Sequence, residues 1–206
     1  MRIILNFALS ADGKIGTKSG GPSKFTSQKD LERLWKIRSS ADAIIVGRGT
    51  LESDSMSMTL PDRPLSSQPK RIVVSKRGKF DYNHPLFHTS GGEIHLISTD
   101  GLISDSPNEV MTHQMSLFNF IDYAQDKLNI STVLCEGGGK LAKALADLGI
   151  IDEINLTLAG HTYIGGKKAP TLLGQISDHL PNSQHFNLTH FEPLENSECF
   201  LTYSKV

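Results

Sequence analysis

The stretch Ser131-Thr132-Val133-Leu134-Cys135-Glu136-Gly137-Gly138-Gly139-Lys140-Leu141-Ala142 constrains the fold most, because its pattern changes in the middle. Thr132 to Cys135 is β-branched and apolar and suits a buried strand, three glycines allow backbone conformations closed to other residues, and Lys140 to Leu148 has helical spacing. A strand, glycine turn and helix in that order belong to an α/β chain. The turn aims backbone N–H groups and the positive end of a helix dipole past the strand, where a phosphate or pyrophosphate can bind. Glu136 would stand beside that ligand. An ATPase-type phosphate loop would need glycine at 134 and a hydroxyl at 141, and both positions are leucine. Gly137, Gly139 and Ala142 satisfy the dinucleotide fingerprint, but the acid expected at the end of the next strand is missing, since Asp152 and Glu153 precede the strand Ile154 to Ala159. A packing turn is the alternative reading, so a second site is needed.

Ala43-Ile44-Ile45-Val46 running into Gly47-Arg48-Gly49-Thr50 supplies it. Two glycines free the backbone, Arg48 offers a planar donor fork for phosphate, and Thr50 can cap a following helical turn. Two such turns favour a long, doubly phosphorylated ligand. A third strand, Arg71 to Val74, ends in Ser75-Lys76-Arg77 and again places a hydroxyl and cations at a carboxyl end. The polar run Leu51 to Pro69 is long for a connection inside a compact domain and is expected to line a pocket or move.

At 206 residues with 38% hydrophobic side chains, the chain can bury one substantial core, and a single domain over residues 1–206 is expected. Its 21 basic and 22 acidic residues are balanced, with no basic run, which gives a nucleic-acid-binding face no support. Met1-Arg2 leads directly into Ile3 to Ala8, too short for a signal or membrane segment and shaped like a first strand, so a cytoplasmic protein is expected. Cys135 and Cys199 offer neither a disulfide framework nor metal-ligand spacing and read as reduced core thiols. His84 and His88 have helical ligand spacing, but Pro85 and a loop-like context make them surface histidines, and no metal site is expected.

The remaining chain alternates strand and helix. A glycine-punctuated loop, Leu9 to Gly16, follows the first strand. Ser27 with Asp30 reads as a capping box for a helix Gln28 to Ser39, whose apolar stripe is Leu31, Leu34, Trp35 and part of Ile37. Arg38 near its end is either a solvated cation or a phosphate ligand. Strands at Ile94 to Ile97 and near Val110 to His113 and a helix Leu117 to Leu128 lead to the central stretch. Phe186 to Phe191 and Glu198 to Tyr203, with no helix between, form a terminal antiparallel hairpin. The result is a largely parallel sheet flanked by helices.

The succession Phe7 to Ile15, Val46-Gly47-Arg48-Gly49-Thr50, Arg71 to Ser75, Glu136-Gly137-Gly138-Gly139 and Gly149-Ile150-Ile151-Asp152-Glu153 resembles the riboflavin-pathway pyrimidine reductases. The resemblance implies a dihydrofolate-reductase-like three-layer fold, a homodimer, NADPH as cofactor, and reduction of the ribosyl group of a phosphoribosylamino-pyrimidine to ribityl. It further implies that Ala8, Gly47, Arg48, Gly49, Thr50, Asp54 and the turn Gly137-Gly138-Gly139-Lys140-Leu141 contact the cofactor, with Ser75 and Lys76 near its adenosine end. Ser23, Arg38, Met58 and Glu136 fall on substrate positions. Where that family often reads Asp-Asp-Pro-x-Leu-Thr and then arginine, this chain reads Asp54-Ser55-Met56-Ser57-Met58-Thr59-Leu60-Pro61, with arginine no nearer than Arg63.

In such a reaction the protein aligns nicotinamide C4 with ribose C1′ and excludes water, while supplying no redox group itself. Glu136 could hold ribose hydroxyls and steady developing charge, and Asp54 could hold a substrate or cofactor group or relay a proton. Two other readings stand beside this one. A pteridine reductase on the same fold would want an acid on the first helix facing an apolar pocket, for which Asp30 is available. A nucleotide-binding homologue without catalysis would tolerate the altered Asp54 to Pro61 segment.

Overall fold

The computed structural model describes residues 1–16, 25–172 and 184–206. Among them are nine strands and four α-helices in the order β1 Arg2–Ser10, α1 Gln28–Ser39, β2 Ala43–Gly47, α2 Arg48–Asp54, β3 Lys70–Ser75, β4 Ile94–Ser98, β5 Val110–Gln114, α3 Leu117–Leu128, β6 Thr132–Gly137, α4 Gly139–Asp147, β7 Glu153–Ala159, β8 Phe186–Pro193 and β9 Glu198–Lys205. The chain is α/β, its strands are mostly parallel, and it ends in an antiparallel hairpin. Two compact units divide it, one made of Met1 and Trp35–Leu134, the other of Arg2–Leu34 and Cys135–Val206.

In the first unit β2, β3, β4 and β5 pair side by side, all parallel, with Gly47 opposite Val74 and Ser75 opposite Ser98. All five residues of β4 and the first four of β2 are buried, as expected of parallel strands covered on both faces. Ile44, Val46, Leu51, Met58, Val73, Leu86 and Leu96 form one fully buried cluster. Met58 therefore points into the core, from a left-handed backbone at φ 57°. The segment after α2 is thus anchored rather than polar throughout. Arg71, itself buried, fastens the facing loops by donating from Nε to the Gly92 carbonyl at 2.8 Å and from its guanidinium to the Leu86 and Thr89 carbonyls at 3.0 Å.

In the second unit β1 lies parallel to β7, β7 antiparallel to β9, and β9 antiparallel to β8. β7 alternates buried and half-buried positions, the period of a strand with one covered face, while β8 is exposed along nearly its whole length.

Helix α1 has the bounds its sequence pattern predicts, but its buried chemistry is different. Leu31 is exposed, Trp35 is half-buried, and Arg38 is the buried residue. Arg33 lies across β7 and β9 in the second unit, donating to the Leu156 and Leu201 carbonyls at 2.8 and 3.0 Å and to Asn155 Oδ1 at 3.1 Å, with its guanidinium carbon 4.6 Å from the Phe200 ring centre. The capping box does not form. Ser27 instead gives both its backbone N–H and its hydroxyl to the buried Glu198 carboxylate, at 2.7 and 2.5 Å, and Asp30 accepts from the Thr157 hydroxyl at 2.5 Å. A carboxylate that receives two donors outcompetes a local serine–aspartate exchange.

His84 is also buried rather than on the surface, because its Nδ1 accepts the Leu86 N–H at 3.1 Å and so caps the short turn Pro85–Phe87. His88 is exposed, as expected. His95 and His113 stack in the first unit with ring nitrogens 3.0 Å apart. Burial, reinforced by the neighbouring His113, lowers His95 to about 4, so this pair is neutral near pH 7.

Candidate active site

Each unit presents a strand-to-helix junction of the kind the sequence singles out. In the second unit β6 runs through Glu136 to Gly137, and Gly137 takes φ +150°, a conformation that side chains rarely allow. Gly138 follows as the N-cap of α4 without any side-chain cap, and its carbonyl accepts the Leu141 and Ala142 N–H groups at 2.9 and 3.0 Å. The N–H groups ahead of these belong to the first turn, which an α-helix leaves without intrahelical acceptors. Helix α4 is nine residues long and has no acid in its first turn, so its positive end is uncompensated by side chains of its own first turn. Glu136 is half-buried at the end of the strand, Lys140 is exposed and Leu141 is buried in the helix's inner face. Cys135, immediately before, is a wholly buried thiol that burial pushes up to about 12, which removes it as a nucleophile.

The first unit's junction is built differently. Gly47 is extended, at φ −76° and ψ 143°, and caps α2 with no side chain. Arg48, Gly49 and Thr50 are the first three residues of that helix, so Thr50 lies inside it and does not cap it. Gly49 needs no special backbone conformation, and a Cβ added there would meet nothing within 4 Å. The space beside it is open. Arg48 pairs with Glu52 one turn on, at 3.1 Å, with its side chain 43% exposed. Asp54 is exposed at the end of α2, where Ser55 turns left-handed.

Because Gly47 pairs with Val74, Ser75 ends β3 and Lys76 leaves the sheet beside the Arg48 turn. Ser75 is buried, whereas Lys76 is exposed and faces Asp100 at 3.4 Å. Of the substrate positions in this unit, Arg38 is no solvated cation. Its guanidinium is buried and donates to the Thr59 carbonyl at 2.9 Å, which brings it to the segment carrying Met58. Arg63 donates to the Ser39 carbonyl at 3.1 Å. Ser23 lies outside the described residues. In the second unit Ala8 is half-buried on β1 opposite Thr157.

Asp30, the acid on which a pteridine reductase would depend, sits among polar groups rather than in an apolar pocket. It receives the Thr157 hydroxyl, and its charge supports the ionised form of the half-buried Arg33, which burial otherwise disfavours. The network of Arg33, Asn155, Thr157 and Thr202 has no counterpart in the sequence reading. Its one legible signal was the placement of Arg33 three residues after Asp30 on the same helix face. Among the described residues no group of three or more His, Cys, Asp or Glu side chains is arranged to hold a metal ion, and no helix is long and apolar enough to cross a membrane.

Each junction by itself offers an anion a place, bare N–H groups at the start of α4 in one unit and the cation Arg48 beside open space in the other. The family model described as the RibD C-terminal domain matches residues 1–199, and the chain belongs to that family. It is 24% identical over 191 residues to the protein of Archaeoglobus fulgidus named 2,5-diamino-6-ribosylamino-4(3H)-pyrimidinone 5′-phosphate reductase, covering 82% of this chain and 84% of that one. A protein of the same name from Methanothermobacter thermautotrophicus is 27% identical over 186 residues, with coverage of 83% and 82%. Among solved structures, a pyrimidine reductase-like protein from Corynebacterium diphtheriae superposes with a TM-score of 0.77 at 19% identity, over 100% of this chain and 92% of that chain. Dihydrofolate reductase from Enterococcus faecalis, complexed with NADP(H), gives 0.57 at 16% identity, with coverage of 99% and 96%. The fold is dihydrofolate-reductase-like.

Proposed function

We propose that the protein is an oxidoreductase of riboflavin biosynthesis that uses NADPH to reduce the ribosyl group of a 5-amino-6-(5-phosphoribosylamino)uracil-type pyrimidine to ribityl, and that it works as a cytoplasmic homodimer. The observation that carries this reading is the Glu136–Gly137 junction, where a carboxylate ends a strand and the next residue takes a backbone conformation reserved for glycine. Membership of a family whose relatives bear pyrimidine reductase names supports the substrate class.

When bound, the nicotinamide cofactor supplies hydride for ribose C1′. The chain's own work is binding, orientation and charge. The backbone of Gly137, Gly138, Gly139 and Lys140 receives the pyrophosphate at the start of α4, and Leu141, whose N–H bonds the Gly138 carbonyl, fixes that turn. Arg48 turns from Glu52 to the phosphate that distinguishes NADPH from NADH, an exchange made easy because an exposed ion pair of this kind contributes only about 0–1 kcal/mol. Lys76 and Ser75 stand at the adenosine end, and Gly47, Gly49, Thr50, Asp54 and Ala8 complete the cofactor contacts. On the substrate, Glu136 holds ribose hydroxyls and steadies positive charge developing at C1′, while Ser23 and Arg38 shape the pyrimidine end; Met58, its side chain in the core, acts only by anchoring the segment that follows α2. Asp54 holds a polar group of substrate or cofactor. Titrating the protein with NADPH and with NADH tests the cofactor assignment: NADPH binds tighter, and equal affinities would refute it.

A further inference from the structure

Two loops of the second unit leave the sheet side by side, residues 11–16 after β1 and residues 160–171 after β7, since Ser10 pairs with Ala159. Backbone bonds lace their flanks. Ala11 N–H donates to the Thr162 carbonyl at 2.7 Å, Ile15 N–H to the Pro170 carbonyl at 2.9 Å, and Lys14 and Thr171 form an antiparallel bridge. The intervening tip is fastened otherwise. Asp12 accepts the Ile164 N–H on Oδ1 at 3.1 Å and the Gly165 N–H on Oδ2 at 2.9 Å, while the Ser10 hydroxyl orients the carboxylate from 2.6 Å. The same hydroxyl accepts the Lys14 N–H at 3.0 Å, which fixes the loop that carries Asp12. Gly165 and Gly166 take φ +71° and +82°, so the tip has a backbone that turns sharply just where the carboxylate grips it. The Ser10 hydroxyl, against some opposing desolvation and with help from the two amides, holds the Asp12 carboxyl below the usual range.

Asp12 is the only acid on either loop, and both of its oxygens are directed at backbone donors. The same loops carry Lys14, Lys167 and Lys168. In the proposed function the cofactor's phosphates go to Arg48 and to the Gly137–Leu141 turn, and since Arg38 and Arg63 donate to the Thr59 and Ser39 carbonyls, the phosphate of the substrate is left to be recognised. We propose that Asp12 is a positioning residue for substrate binding, latching the Tyr163–Lys168 tip to the loop after β1 so that the cations of the two loops receive the ribose phosphate of the pyrimidine. This inference rests on the proposed function and extends it to the recognition of that phosphate.

The test uses the full chain and the Asp12→Asn variant, in which an amide NH2 replaces one acceptor oxygen. Hydrogen exchange of the Ile164 and Gly165 amides quickens about tenfold, the loss of a charge-assisted bond. KM for the phosphorylated pyrimidine rises about tenfold, while kcat and the KM for NADPH stay within about twofold. Ser10→Ala, which frees the carboxylate to swing, moves the same two quantities in the same direction by less. Unchanged exchange, or faster exchange with an unchanged KM, overturns the inference while wild-type turnover leaves the function standing. A wild-type chain that does not reduce the pyrimidine overturns both.

Discussion

The two strand-to-helix junctions achieve a similar outline by opposite means. At Glu136–Leu141 the backbone is the instrument: Gly137 at φ +150° and Gly138 as a bare N-cap clear the way to the first turn of a nine-residue helix. At Gly47–Asp54 the backbone is ordinary, the helix is seven residues long, and the distinctive group is a side chain, Arg48, paired with Glu52. In the proposed function the first kind of junction takes the pyrophosphate that every dinucleotide carries, and the second adds the charge that tells one dinucleotide from another.

Substitutions can break this contrast. The largest effect is expected at Gly138, where Val fills the space a pyrophosphate needs, so NADPH affinity falls beyond about 10³-fold, roughly 4 kcal/mol. The melting temperature stays within a few degrees, and calorimetric titration beside a thermal melt checks both. Glu136→Gln keeps the size and removes the charge; turnover falls by about 10²-fold while NADPH affinity survives, a split that single-turnover and binding measurements resolve. Arg48→Ala weakens NADPH by about 1.5–3 kcal/mol and leaves NADH nearly unchanged. Equal losses for the two cofactors would make the junctions alike and remove the contrast. Gly49→Ala is expected to shift stability by less than about 0.5 kcal/mol, because its Cβ enters open space, whereas Gly137→Ala forces a strained φ and costs more than about 1 kcal/mol in chemical denaturation.

What was legible in the sequence follows the same division between local and distant causes. Helices α1 and α3 have the predicted bounds because their spacing, and at α3 the Ser116 cap, set them locally, and the glycine run marked Gly137, one of six described glycines at positive φ. The buried face of α1 was not legible. Its apolar stripe leaves Leu31 exposed, since Arg33 finds acceptors on β7 and β9 that lie more than 120 residues away in sequence. Ser27 is the same case, its expected local partner replaced by Glu198, 171 residues on. Met58 sits in a serine-rich run and still fills the core, which a reading of local polarity misses. At the candidate site, the glycines and Arg48 could be singled out by type and spacing. The Asp12 latch could not, because its partners are backbone N–H groups, which carry no sequence signal.

The central claim is the reaction itself. Incubating the chain with NADPH and the phosphoribosylamino-pyrimidine, and following nicotinamide absorbance together with the mass of the pyrimidine product, tests it most directly. The account predicts one cofactor oxidised per pyrimidine converted and a product heavier by two hydrogens in its sugar chain. Cofactor oxidation with a dihydropterin and none with the pyrimidine would contradict it.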